Sequence, residues 1–212
     1  MNLQNYYYYF QSVLRPKFCD ELIKYGISQQ EQLAITGGQI NKLNKSKKLS
    51  EEDLKDLKKK RDSNIVWLND NWIYKEIQPY IHEANRLAGW NFNWDWSESC
   101  QFTKYKLNQF YDWHCDSWET PYNNPKDLNI HGKIRKLSVT CSLSDPKDYK
   151  GGELEFDFRN TSPGNHNVRK CKEIKPRGSI VVFPSHVWHR VKPVTKGTRY
   201  SLVIWNLGHP FK

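Results

Sequence analysis

The sequence has no run approaching the ~20 consecutive apolar residues that a helical membrane span requires. It also lacks any C-x-x-C pair. Its five cysteines, Cys19, Cys100, Cys115, Cys141 and Cys171, are odd in number and widely scattered. That pattern excludes a zinc ribbon and a paired disulfide framework, and leaves reduced thiols in a cytoplasmic protein as the expectation. The opening residues, MNLQNYYYYFQSVL, show neither a basic n-region nor a small-residue cleavage site, so no secretory signal is expected. No internal repeat and no linker-like stretch divides the 212 residues, and a single domain over 1–212 follows as the expectation. Hydrophobic residues are few, at 37%, but 14% of the chain is aromatic. Disordered chains are poor in aromatics, so this composition points to a folded globular domain.

The formal charge is +10, from 33 Lys and Arg against 23 Asp and Glu. Residues 42–61 alone hold nine basic and four acidic side chains, half of that surplus. A charge run of this kind reads as a solvated helix face before it reads as a binding patch. Charge by itself is compatible with nucleic acid, an acidic protein or an anionic small molecule, and does not choose among them.

Residues 1–98 read as largely helical after a short aromatic strand over 6–13. Pro16 opens a helix whose apolar stripe is Phe18, Leu22 and Ile23. The polar, glycine-containing stretch 37–49 reads as a loop. Ser50 has the look of an N-cap, with Glu51, Glu52 and Asp53 in the first turn and Lys58, Lys59, Lys60 and Arg61 at the far end. Another helix is predicted from about 70 to 87, with Trp72, Ile73, Ile77, Ile81 and Ala84 on its buried side. After Trp90 short β-branched and aromatic runs recur at 99–107, 136–143, 153–158, 179–183, 187–191 and 200–205. Gly151-Gly152 and Gly178 punctuate them. In 153–158, Leu154, Phe156 and Phe158 alternate with acids, the period of a strand with one buried face. The stretch 159–172 reads as loop. Strands at this spacing predict a mainly β sandwich or barrel over 99–212, with the N-terminal helices packed outside it.

Within FYDWHCDSW, His114 and Asp116 stand two residues apart, a spacing that puts both on one face of an extended chain. His186 and His189 follow in FPSHVWHRVKPV. Two histidines and one carboxylate on one face of a metal, with positions left open, is the ligand set of non-haem Fe(II) oxygenases. A bare H-x-D is common by chance, and the same residues also suit a turn in which Asp116 caps a backbone N–H. Arg199 lies ten residues after His189, and Ser201 shares its face of the next strand. An arginine directed into an apolar barrel requires an anionic partner, and its planar fork suits a carboxylate. Both faces of 199–205 carry apolar residues, so alternation leaves the direction of Arg199 open.

Four segments together carry a resemblance: QFTKYKLNQFYDWHCD, RKLSVTCSLSDPKDYKGGELEF, RGSIVVFPSHVWHRVKPV and KGTRYSLVIW. From Gln101 to Trp205 the chain resembles the Fe(II)- and 2-oxoglutarate-dependent dioxygenases of the prolyl 4-hydroxylase-like superfamily, particularly bacterial and phage PKHD-type hydroxylases. The resemblance implies a double-stranded β-helix (jelly roll) core buttressed by helices. It implies His114, Asp116 and His189 as Fe(II) ligands and Arg199 as the seat of the distal carboxylate of 2-oxoglutarate. Tyr105 matches a tyrosine lining the co-substrate pocket, Ser201 completes an R-x-S pair on the same carboxylate, and Trp205 matches an aromatic that closes the pocket. His186 falls outside the ligand position and is assigned to the rim or to packing; Cys115 is expected to point away from the metal. Collagen-type and algal members carry Lys where this chain has Arg199, which weakens transfer of a collagen-like substrate preference.

The chemistry implied is consumption of 2-oxoglutarate and O2, with ascorbate as a reductant, release of succinate and CO2, and hydroxylation of an unactivated C–H. The apolar strands 137–143 and 180–183 are expected to wall the cavity, and residues 117–132 to form either a substrate lid or an ordinary exposed loop. A peptidyl residue such as proline is the leading substrate. The alternatives are a methylated nucleic acid, a free amino acid, or a jelly-roll binding module without catalysis. The nucleic-acid reading lacks the second arginine expected shortly after Arg199, and a binding module has no need of all four of His114, Asp116, His189 and Arg199.

Overall fold

Alternation along the strands sets the architecture. In the computed structural model, which describes residues 5–35, 49–117, 120–158 and 168–211, odd and even positions of these strands enter different environments. The strands are, in chain order, β1 (Tyr8–Phe10), β2 (Gln32–Leu33), β3 (Arg61–Asp62), β4 (Asn64–Leu68), β5 (Trp96–Ser97), β6 (Cys100–Tyr105), β7 (Phe110–His114), β8 (Ile134–Ser142), β9 (Tyr149–Gly151), β10 (Leu154–Asp157), β11 (Val168–Lys170), β12 (Ile180–Pro184), β13 (Trp188–Val191), β14 (Val194–Gly197) and β15 (Arg199–Gly208). The helices are α1 (Pro16–Ser28), α2 (Glu51–Lys60) and α3 (Asn71–Leu87). An eight-stranded sheet runs β1-β12-β8-β15-β6-β4-β2, with β5 also on β15. A five-stranded sheet runs β11-β10-β13-β7-β3. This is the expected mainly β jelly roll with helices on one face.

Leu137, Val139, Cys141 and Leu143, with Ile180, Val182, Leu202 and Ile204, form one core beneath the helices. Val181 and Phe183 turn the other way and join Leu154, Phe156 and Val191 in a second core. Because strand side chains alternate, Ser138, Thr140 and Ser142 of β8 and Arg199 and Ser201 of β15 face away from the helices. The inner wall is therefore richer in hydroxyls than the sequence suggested. Of the expected apolar wall, Val181 and Phe183 face inward, whereas the leucine and valine positions of β8 hold the helices.

Helix α3 buries Ile73, Ile77, Ile81 and Ala84 at helical spacing, as predicted. Trp72 does not share that face. It is 37% exposed and packs edge-on against Phe18 of α1 at 5.3 Å. Helix α2 begins on the predicted cap: the Ser50 hydroxyl accepts from the Asp53 N–H at 3.1 Å, and the Asp53 carboxylate accepts from the Ser50 N–H.

Strands β2 to β5 correct the helical reading of the first 98 residues. Their short runs lack sustained alternation, and tertiary pairing decides them: Ile65 and Val66 of β4 face Thr103 and Phe102 of β6. The aromatic strand is shorter than 6–13. Of the expected loop 159–172, residues 168–170 form β11 on β10; 159–167, like residues 37–48 of the expected 37–49 loop, lie outside the described residues. The acids of β10 are also buried, since the Arg190 guanidinium of β13 donates to Glu155 at 2.8 Å.

Gly26 shows how closely α1 meets the sheet, because a Cβ there would lie 2.6 Å from the Phe102 ring. Gly26→Ala improves helix propensity by up to ~1 kcal/mol, but overpacking a closed core costs about 1–3 kcal/mol. A net loss of stability is expected, read as a lowered urea midpoint.

Candidate active site

His114 ends β7 and His189 lies opposite it on β13, so cross-strand pairing brings the two rings together with centroids 4.1 Å apart. Asp116 lies just beyond the end of β7. Its N–H and that of Ser117 both donate to the Ser185 carbonyl, at 2.8 and 2.9 Å, which turns the chain and aims the carboxylate back at the two histidines. Asp116 Oδ1 is 3.9 Å from His114 Nε2, and Oδ2 is 3.5 Å from His189 Nε2. Among the described residues these three side chains form a group whose ligand atoms all lie within 4.8 Å of one another.

Each ring is held from behind. His114 Nδ1 lies 2.7 Å from the Asp112 carbonyl, and His189 Nδ1 lies 3.0 Å from the Val187 carbonyl. A carbonyl oxygen only accepts, so both Nδ1 atoms carry protons and both Nε2 lone pairs face Asp116. This is how metal-ligating histidines are oriented. Tyr111 stacks flat on His114 at 3.5 Å, and Phe183 meets His189 edge-on at 4.7 Å. Burial, reinforced by His189, pushes the His114 imidazole well below its ordinary pKa, so it stays neutral. Burial alone would raise the Asp116 carboxyl. His189, His114 and Arg135 outweigh it and hold the group below the usual carboxylate range.

Sequence reasoning missed the hydroxyls behind Asp116. The Ser138 hydroxyl donates to Asp116 Oδ2 at 2.7 Å and lies 2.9 Å from the Ser185 hydroxyl. Their signal was the polar alternation of β8, visible only once the core face was known. Trp205 pairs with Ser138 across the sheet. Its buried indole N–H has no hydrogen-bond partner among the described residues, and Arg135 covers its ring at 3.9 Å. Arg135 is itself fixed by two bonds to Glu98, at 2.9 and 2.6 Å. A donor set of two imidazoles and one carboxylate, without thiolate, fits Fe(II). Ser138→Ala is expected to weaken metal affinity about 10–100-fold, measured by titrating Mn(II) into the protein.

Arg199 points inward, which settles the direction that alternation left open. It is 3% exposed, and among the described residues no carboxylate pairs with it. Its Nη1 donates to Ser201 at 3.2 Å, and its guanidinium lies 5.4 Å from the ring of Tyr105, the residue opposite it on β6. Arg199, Ser201 and Tyr105 thus lie together. Gly152 makes room for them, because a Cβ there would lie 2.8 Å from Arg199 Cδ. A buried guanidinium without a counter-ion is costly, so this cluster fits an anionic ligand. His186 is exposed, in keeping with a rim position. In 117–132, residues 118 and 119 lie outside the described residues; Tyr122 anchors the rest, its hydroxyl donating to Glu98 at 2.8 Å.

The family model of the 2OG-Fe(II) oxygenase superfamily matches residues 100–206. The chain belongs to this superfamily. Within this oxygenase family, it is 37% identical over 105 residues to the PKHD-type hydroxylase YbiX of Escherichia coli O157:H7, which covers 49% of this chain and 40% of that protein. A PKHD-type hydroxylase of Synechococcus sp. (strain CC9902) is 35% identical over 108 residues, again with 40% of its length covered. The chain therefore matches well under half the length of these relatives. Its oxygenase fold is similar to that of a viral collagen prolyl hydroxylase from Paramecium Bursaria Chlorella virus-1, with a TM-score of 0.62 at 20% identity over 97% of both chains. A Pseudomonas putida prolyl-4-hydroxylase gives 0.57 at 17% identity, covering 96% of this chain and 92% of the other. No helix among the described residues is long and apolar enough to cross a membrane.

Proposed function

We propose that this chain is an Fe(II)- and 2-oxoglutarate-dependent dioxygenase that hydroxylates an unactivated C–H on a peptidyl residue, proline foremost. The observation that carries the reading is the pairing of the His114–Asp116–His189 cluster with a buried Arg199 that has no carboxylate partner among the described residues. His114, Asp116 and His189 would hold the iron, which would supply the coupling of 2-oxoglutarate decarboxylation to succinate and CO2 with insertion of one oxygen atom of O2 into a C–H bond. The chain's own work is orientation. Ser138 fixes the Asp116 carboxylate, the Asp112 and Val187 carbonyls fix the two imidazoles, and Arg199 with Ser201 grips the far carboxylate of the co-substrate. Phe183, Tyr111 and Trp205 shield this centre from water.

A cleft of about 980 Å3, bordered by Trp67, Tyr74, Trp96 and Glu98, supports a polymeric substrate. It adjoins the site, since the Trp67 and Trp205 rings are 6.1 Å apart. Exposed aromatic faces suit proline-containing peptides. A structure similar in fold, at 18% identity and a TM-score of 0.57, is that of a Trichoplax adhaerens prolyl hydroxylase in complex with a hypoxia inducible factor oxygen degradation domain peptide fragment.

The test is succinate release, with and without ascorbate, screened against proline-containing peptides, free amino acids and methylated oligonucleotides. Stimulation by peptides is the expected result. Stimulation by oligonucleotides or free amino acids alone would reject the peptide substrate, and no 2-oxoglutarate consumption with any of them would reject the enzyme.

A further inference from the structure

We propose that 2-oxoglutarate reaches Arg199, and succinate leaves it, through a basic cavity behind the guanidinium rather than past the metal ligands. This rests on the co-substrate reading above and adds a route to it. Arg199 lines a cavity of about 550 Å3, and Lys150, Lys170, Lys172 and Lys175 surround it. That volume lies within the usual range for small-molecule sites. Its one acid, Glu153, is held by Lys170 at 2.8 Å. Among the described residues no carboxylate lies within ion-pair distance of the Lys150, Lys172 or Lys175 ammonium groups, which leaves them free to act on a visiting anion.

The cavity is distinct from the metal face. His114, Asp116 and His189 are not among its walls. Along β10, Phe156 pairs with His189, whereas the cavity begins two residues earlier at Leu154, which pairs with Val191. Along β15, Arg199 lies at one end, and Trp205, beside Asp116, lies six positions further on. Gly152 lines the cavity beside Arg199 and brings no side chain to it; a Cβ there would lie 2.8 Å from Arg199 Cδ.

Both 2-oxoglutarate and succinate are dianions near neutral pH. A concave surface of one sign with low-dielectric walls focuses the field and raises association rates ~10–10³-fold. The Trp67–Trp96 cleft, whose Trp67 lies 6.1 Å from Trp205, is the proposed seat of a polymeric substrate. A separate basic route lets the small diacids exchange while that cleft is occupied.

The test measures association and dissociation rates of 2-oxoglutarate by stopped-flow tryptophan fluorescence on the Mn(II)-loaded protein. The cavity variant Lys150→Glu/Lys172→Glu/Lys175→Glu is compared with a control of equal charge change, Lys17→Glu/Lys24→Glu/Lys55→Glu on α1 and α2. Expected for the cavity variant is association about tenfold slower at low salt, a flattened salt dependence and a dissociation rate within about twofold of wild type. Substituting glutamine for the same three lysines is expected to give a smaller slowing in the same direction. Association at the wild-type rate in the cavity variant, or equal slowing in the control, overturns the route and leaves the co-substrate reading intact. A wild-type protein that does not bind 2-oxoglutarate overturns the co-substrate reading, and the route with it.

Discussion

Asp116→Ala is expected to abolish metal-dependent turnover, with a loss exceeding the ~10–100-fold that removal of a supporting hydrogen-bond partner costs. Three features of the site set this scale. Among the described residues of the cluster Asp116 offers the one carboxylate, and it lies within 3.9 Å of both histidine Nε2 atoms. Its two oxygens address different rings, so no other residue replaces both contacts. Its loss also leaves the Ser138 hydroxyl without its anion in a buried setting. The fold itself is expected to survive, because both hydrophobic cores lack Asp116 and the backbone bonds to the Ser185 carbonyl do not involve the carboxylate. The measurements are Mn(II) affinity by calorimetry, succinate release, and urea unfolding of the same variant. Retained Mn(II) affinity with intact folding would remove Asp116 from the ligand set. Asp116→Asn separates charge from shape: it keeps an oxygen acceptor near Ser138, yet should lose most of the metal affinity.

The parts legible in the sequence are those fixed by local rules. The Ser50 cap, the Ile73–Ile77–Ile81 stripe and the apolar positions of β10 all follow from spacing within one element, and each is found. The candidate ligand set was legible from a two-residue spacing at a strand end together with the family resemblance, which chose His189 over His186. What remained hidden depends on partners distant in the chain. Strand β4 has five residues and no clean alternation, and it is a strand because β6 pairs with it. Ser138 became an inner-wall residue only once Leu137 and Val139 were seen to hold the helices. Tyr111 and Arg61 meet through the β3–β7 pair, with the Arg61 guanidinium 4.4 Å from the Tyr111 ring that stacks on His114. Nothing local to either residue announces that stack. Gly152 read as turn punctuation, but its φ of +63° and its place under Arg199 make it part of the site.

Arg199→Ala is expected to lower 2-oxoglutarate affinity by about 10²–10⁴-fold while leaving Mn(II) affinity unchanged. The range follows from two charge-assisted hydrogen bonds at ~1.5–3 kcal/mol each, with ~1.4 kcal/mol per factor of ten. Arg199→Lys keeps the charge but replaces a planar fork with a point donor, so an intermediate loss is expected. The partnership with Gly152 gives a sharper test. Gly152→Ala places a Cβ 2.8 Å from Arg199 Cδ and 3.1 Å from Val194, at a φ that L-residues rarely adopt. The backbone strain, roughly 1–2 kcal/mol, persists whatever residue stands at 199, whereas pressure on the guanidinium disappears once Arg199 is gone. The two substitutions should therefore be non-additive in 2-oxoglutarate affinity: Gly152→Ala weakens binding in the Arg199 protein and changes it little in the Arg199→Ala background. Full additivity would mean that Gly152 acts on folding alone. Unchanged affinity in Arg199→Ala would place the co-substrate's far carboxylate elsewhere in the barrel.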